Sequence, residues 1–144
     1  MAARVETILA AVTTALTGLT TTGANVQRAR AWPVSALPAL TVSQGENAVL
    51  AEDAQLDIIT RQLQFSVVAQ IKAITNLETS LNQISSEVYA ALVADRSLGL
   101  AYVFDLTLVG DSAAEIEAEQ DEPTARQVMT WALIYEHSKT STEI

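Results

Sequence analysis

From Gln62 to Lys72 the chain alternates. Leu63, Phe65, Val67, Ala69 and Ile71 are apolar, and Gln62, Gln64, Ser66, Gln70 and Lys72 are polar; only Val68 breaks the polar set. Successive side chains of a strand point to opposite faces, so this pattern describes a strand with one packed face and one wet face. A wet face excludes the middle of a doubly wound parallel sheet, where strands read as near-continuous apolar runs. Antiparallel neighbours, covered on one side, are expected instead. The strand reading extends over 56–73. Leu56 and Ile58 fall on the other parity, and a bulge or turn near 59–62 is expected to reconcile them.

Two segments have helical periodicity. Within 3–19, Val5, Ile8, Leu9, Val12, Leu16 and Leu19 occupy an arc of about 100° at helical spacing. The run Thr20-Thr21-Thr22-Gly23 is a stop signal. Within 76–95, Leu77, Leu81, Ile84, Val88, Ala91 and Leu92 make a second stripe of about the same width. Leu81 and Ile84 are expected beneath the sheet, with Tyr89 and Val93 off the stripe. Further strands are expected at 25–32, 37–42, 100–109 and 125–137. Pro38 cannot donate to a ladder and belongs at a strand start or an edge. Gln44-Gly45-Glu46-Asn47 reads as a turn, and the polar residues 138–144 as a frayed tail.

The order is therefore helix, three strands, helix, two or three strands. Helices and strands do not alternate strictly, which points to an α+β fold: a mainly antiparallel sheet with two amphipathic helices packed on one face. At 144 residues, one domain spanning 1–144 is expected. Such a chain buries about 70% of its unfolded surface without staples.

Several chemistries are excluded. The chain has no Cys, so it has no disulfide framework, thiolate zinc site or Cys nucleophile. A single His cannot make a multi-His metal site. The five glycines are isolated, and no Gly-x-Ser-x-Gly elbow occurs. No apolar run reaches the ~18 residues of a membrane helix, and Met1-Ala2-Ala3-Arg4 does not open a signal peptide. The net charge of −9 opposes phosphate binding through the bulk field. His137 follows Glu136, but neighbours on a strand face opposite ways, so Glu136 is not expected to orient the ring. His137 reads as an ordinary strand-end histidine. Glu52, Asp53 and Asp57, like Asp121 and Glu122, read as solvated loop carboxylates. No catalytic, cofactor-binding or metal-ligating residue is assigned, and no enzyme activity is expected.

The feature that stands out is the run Asp111, Glu115, Glu117, Glu119, Asp121 and Glu122, six acids with no base among them. As a strand, it sets Glu115, Glu117 and Glu119 on one face. A helix is the alternative, since Ser112-Ala113-Ala114-Glu115 has capping-box spacing. An extended hairpin arm is favoured because strand patterns flank it. Such an arm serves as a charged edge that discourages strand pairing, or as a wall toward a polyanion or a basic partner. Arg28 and Arg30 form the only close basic pair and are candidates for a subunit contact, with the acidic arm as one possible mate.

A family resemblance rests on the succession of these segments. A helical start leads to Gly23-Ala24-Asn25-Val26-Gln27-Arg28-Ala29-Arg30 and then Leu37-Pro38-Ala39-Leu40-Thr41-Val42. Arg61-Gln62-Leu63-Gln64-Phe65-Ser66-Val67 follows, then a helix with Glu87-Val88-Tyr89-Ala90-Ala91-Leu92, then Leu98-Gly99-Leu100. Val128-Met129-Thr130-Trp131-Ala132-Leu133-Ile134-Tyr135 closes it. In order and spacing this resembles the tail terminator (tail completion, minor tail protein U-like) family of long-tailed bacteriophages, over residues 3–137. The resemblance implies an α+β fold assembling as a six-fold ring on the head-proximal end of the tail tube. It implies a virion protein, assembled in the host cytoplasm, whose partners are further copies of itself, the tail tube protein and a head–neck connector protein. DNA would pass through the hole without specific binding; no membrane, cofactor or catalytic residue is implied. Other readings are a head–tail connector or neck ring, a small acidic adaptor, or a domain holding Mg²⁺ or Ca²⁺ on Glu52, Asp53 and Asp57.

Overall fold

The computed structural model describes residues 3–28, 37–53, 55–72, 76–117 and 123–140. The elements are α1 (Arg4–Leu16), β1 (Val26–Arg28), β2 (Ala39–Asp53), β3 (Ile58–Lys72), α2 (Leu77–Val93), β4 (Val103–Asp111), β5 (Glu115–Glu117) and β6 (Thr124–Ser138). The strands form one open sheet in the order β1-β2-β3-β6-β4, with β5 also on β6. Every pair is antiparallel except β1–β2. The α+β fold expected from the sequence is the observed one.

The centre of the sheet is the β3–β6 ladder, which runs without a register break from Ile58↔Ser138 to Lys72↔Thr124. The register sets Leu63 opposite Leu133, Phe65 opposite Trp131, Val67 opposite Met129 and Ile71 opposite Ala125. All eight are buried. Leu40 and Val42 of β2 and Leu106 of β4 extend the same face. Both helices lie on it and touch each other. α1 buries Val5, Ile8, Leu9, Val12 and Leu16, and α2 buries Leu81, Ile84, Val88 and Leu92. Burying each of these larger apolar side chains contributes about 1.5–3 kcal/mol. Phe65 stacks on Trp131 with centroids 6.5 Å apart. Tyr89, off the α2 stripe, tilts over Trp131 at 6.0 Å and keeps 45% of its surface exposed.

Some local expectations are corrected. α1 ends at Leu16 rather than 19, and a tight loop follows. In it Gly18 donates to the carbonyl of Gly23 (2.8 Å) and Gly23 donates to that of Leu19 (2.7 Å). Both glycines have positive φ (94° and 58°), a conformation costly for other residues. Gln44–Asn47 is not a turn. It lies inside β2, where pairing slips from Gln44↔Phe65 to Asn47↔Leu63. A Cβ at Gly45 would sit 3.0 Å from the carbonyl oxygen of Gln64, so the glycine permits a close backbone approach. The bulge expected near 59–62 is absent, because the irregularities fall on β2 and not on β3. Leu56 escapes the parity conflict by lying in the hairpin turn before β3, 67% exposed. Of the strand expected at 25–32, Val26–Arg28 is β1; 29–32 lie outside the described residues. Pro38 immediately precedes β2, following a cis Leu37–Pro38 bond. The C-terminal segment is tied down further than expected: Ser138 is still in β6, and Lys139 donates its N–H to the carbonyl of Asp57 (2.9 Å).

Candidate functional site

The described part of the acidic segment is extended. β4 ends with Asp111 opposite Met129, and β5 begins with Glu115 opposite Arg126, so the two short strands follow one another along the same edge of β6. Ser112 makes the join. Its N–H donates to the Val128 carbonyl (2.8 Å), and its hydroxyl accepts the Val128 N–H (3.0 Å). That hydroxyl is thereby committed across the sheet, which is why the capping-box spacing does not start a helix here. β5 pairs antiparallel with β6 over Glu115–Glu117, so this part of the segment is extended, as favoured from the sequence; 118–122 lie outside the described residues.

Asp111 and Glu115 are exposed on this arm. Glu115 is not unopposed: Arg126 of β6 places its Nε 3.1 Å from Glu115 Oε2. The run lacks a base in sequence, yet the facing strand supplies one. The pair is open to water, so it contributes about 0–1 kcal/mol. Glu117 lies in β5 opposite Thr124. Glu119, Asp121 and Glu122 lie outside the described residues.

The two open edges of the sheet share a device that the sequence reading missed. β4 slips register against β6 between Val103 and Asp105 and between Leu108 and Gly110. The extra residues are Phe104 and Val109, 55% and 58% exposed. Among the described residues, β1 covers β2 at Leu40–Val42, and farther along β2 slips between Val49 and Ala51. The extra residue there is Leu50, 51% exposed. Each bulge interrupts the ladder and turns a large apolar side chain outward. Bulges hinder another strand from pairing with an open edge. Apolar groups at the same spots suit side-chain contact rather than strand addition. A bulge shifts alternation by one residue, and the sequences of β2 and β4 alternate too weakly for that shift to stand out.

The basic pair is only partly described. Arg28 lies 3.4 Å from Glu6 Oε2 of α1. β1 and the acidic arm lie at opposite sides of the sheet, so Arg28 does not meet the arm within one chain. Arg30 lies outside the described residues.

His137 is 3% exposed. Arg61 Nε donates to its Nε2 (2.8 Å), and its Nδ1 donates to the Ser138 carbonyl (2.9 Å). The ring is thus a neutral Nδ1–H imidazole oriented by Arg61 and Ser138, with no part played by the Glu136 carboxylate. Two of the candidate carboxylates have structural partners. Glu52 lies 3.8 Å from Lys139 Nζ, and Asp53 Oδ1 accepts the N–H groups of Gln55 and Leu56 in the β2–β3 turn. Among the described residues, no three His, Asp or Glu side chains come together as a metal site. Glu87 of α2 accepts the Thr21 N–H at 2.8 Å, the Thr21 hydroxyl and the Gln83 amide at 3.2 Å. Burial pushes its carboxyl up, but the Thr21 hydroxyl and amide, Gln83 and the Thr20 N–H outweigh that and hold it below the ordinary glutamate value. No helix of the described residues is long and apolar enough to cross a membrane. No protein-family model matches the chain, and no curated protein matches it.

Proposed function

We propose that this chain is a ring-forming virion protein that caps the head-proximal end of a phage tail tube. In that position it stops tube polymerisation and offers a surface to the head–neck proteins. The observation that carries this reading is the pair of dissimilar open edges on one chain, each with apolar side chains turned outward by bulges. When the surfaces that join two copies differ, each copy offers both, and repeated addition closes into a ring or runs on as a filament. The α+β fold is the one the resemblance implies. The acidic arm suits a channel for DNA: carboxylates repel phosphate, and grip on DNA comes from Lys and Arg, which are few here.

Deleting the coding sequence from the parent phage and imaging the lysate tests the proposal. Overlong tails detached from filled heads are expected. Normal-length tails that fail to join heads would favour a connector ring over a terminator. Intact, infectious particles would overturn both readings.

A further inference from the structure

The Arg61–His137 pair has an uncommon character. Arg61 is a half-buried cation whose Nε donates to a neutral nitrogen, and His137 is almost wholly buried. The bond requires a lone pair on His137 Nε2. Its other ring nitrogen is already committed as a donor to the Ser138 carbonyl, so flipping the tautomer would cost both bonds. A proton added at Nε2 turns the acceptor into a donor and sets imidazolium against guanidinium, two positive charges within hydrogen-bonding distance.

The pair sits where three strands end together. Ile59 is opposite His137 and Ile58 opposite Ser138, while β2 closes on the same residues through Glu52↔Ile59 and Asp53↔Ile58. Among the described residues, the charged and titratable groups gathered there are Arg4, Tyr135, Glu136, Lys139, Glu52, Asp53 and Asp57. Arg4 of α1 is held by the Glu136 carbonyl and stacks over Tyr102 at 4.3 Å. Tyr135 lies 6.3 Å from the His137 ring. Lys139 is engaged with Glu52. Free carboxyl groups titrate near pH 4 and free Lys and Tyr side chains near pH 10, whereas free imidazole takes up its proton around pH 6.5. Of the side-chain types gathered here, imidazole is the one that changes charge between about pH 5 and about pH 8.

We propose that Arg61 and His137 form an acid-sensitive latch on the hairpin end of the sheet. Protonation at Nε2 releases Arg61 and frees the ends of β3 and β6 to separate, while the helix-covered part of the β3–β6 ladder stays closed. This inference is independent of the ring proposal.

Amide hydrogen exchange, corrected for the intrinsic pH dependence of the chemistry, tests it. For Ile58–Arg61 and Tyr135–Ser138, corrected exchange is expected to rise about tenfold or more from about pH 7.5 to about pH 5.5, the effect of losing one hydrogen bond to a charged group. Val67 and Met129 should not change. His137→Gln keeps an acceptor that does not titrate, and Arg61→Gln removes the opposing charge. Either variant should abolish the rise. Nitrogen chemical shifts of the ring should report the Nδ1–H tautomer at neutral pH. Equal acceleration in both variants, an Arg61 Nε–H that stays protected through the titration, or an Nε2–H tautomer would each overturn the latch.

Discussion

Glu87 binds Thr21 twice, accepting its backbone N–H at 2.8 Å and its hydroxyl, and so ties α2 to the loop that follows α1. The carboxylate form is favoured in the folded protein, and its pKa is held below the ordinary value. A carboxyl with a lowered folded value contributes stability above its unfolded pKa. That contribution is lost as pH falls through the folded value. Glu87→Gln should therefore cost about 1 kcal/mol at neutral pH. The gap between wild type and variant should close in acid. Thermal unfolding of both proteins from about pH 7 to about pH 3 checks this. A gap that stays constant across the range would mean that the charge of Glu87 is irrelevant.

Leu81 is 1% exposed on the inner face of α2. Leu81→Ala removes buried methyl groups and leaves a cavity, at a cost of about 2–5 kcal/mol. Ser86→Ala, at an exposed position on the same helix, should stay within about 0.5 kcal/mol. Urea denaturation measures both. A cost well below 1 kcal/mol at Leu81 would show that this face of the helix is not core.

The parts of the fold legible in the sequence are those where a period meets burial. Leu63 to Ile71 are buried on one face because a strand repeats every two residues, and Val5 to Leu16 follow the period of a helix. The acidic arm was readable as extended because strands flank it. The slips in β2 and β4 were not readable. Gln44–Asn47 has turn composition, yet it is held in the sheet by pairing with β3, a partner remote in sequence. Arg126 facing Glu115, and Arg61 meeting His137 across 76 residues, likewise depend on register that no local pattern carries. Of the candidate interface pair, Arg28 is engaged with its own α1, which its neighbours in sequence do not suggest.

Glu115→Gln, Glu117→Gln and Glu119→Gln together remove three charges from the arm without shortening it. If the arm lines a DNA channel, the triple variant should still assemble while DNA delivery slows, because less repulsion leaves phosphates freer to stick. Rates of potassium efflux or DNA ejection from particles carrying the variant would show this. Unchanged delivery would remove the lumen role. Loss of assembly would place the arm at a contact with a basic partner instead.

Charge reversal at the β1 edge separates two roles for the basic pair. Arg28→Glu breaks the contact with Glu6, an exposed ion pair whose loss alone costs at most about 1 kcal/mol. If the chain forms the proposed ring, assembly scored by electron microscopy should then persist where Arg28 serves only its own α1. Rings lost despite a nearly unchanged melting temperature would place Arg28 at a subunit contact.

The bulge residues give the sharpest test of head-to-tail assembly. Phe104→Ser with Val109→Ser strips the β4 edge, and Leu50→Ser with Leu56→Ser strips the hairpin end of β2. All four residues are more than half exposed, so each variant should fold with stability within about 1 kcal/mol of wild type. If the two edges meet between copies, neither variant forms rings alone. Mixing them leaves one sound contact, between the intact β2 end of the first variant and the intact β4 edge of the second. That contact makes a pair and cannot propagate. Analytical ultracentrifugation or native mass spectrometry on assembled tube ends should thus find heterodimers in the mixture and no closed rings. Full rings from either variant alone would show that these apolar groups do not join the copies. Heterodimers absent from the mixture would show that the two edges contact something other than each other.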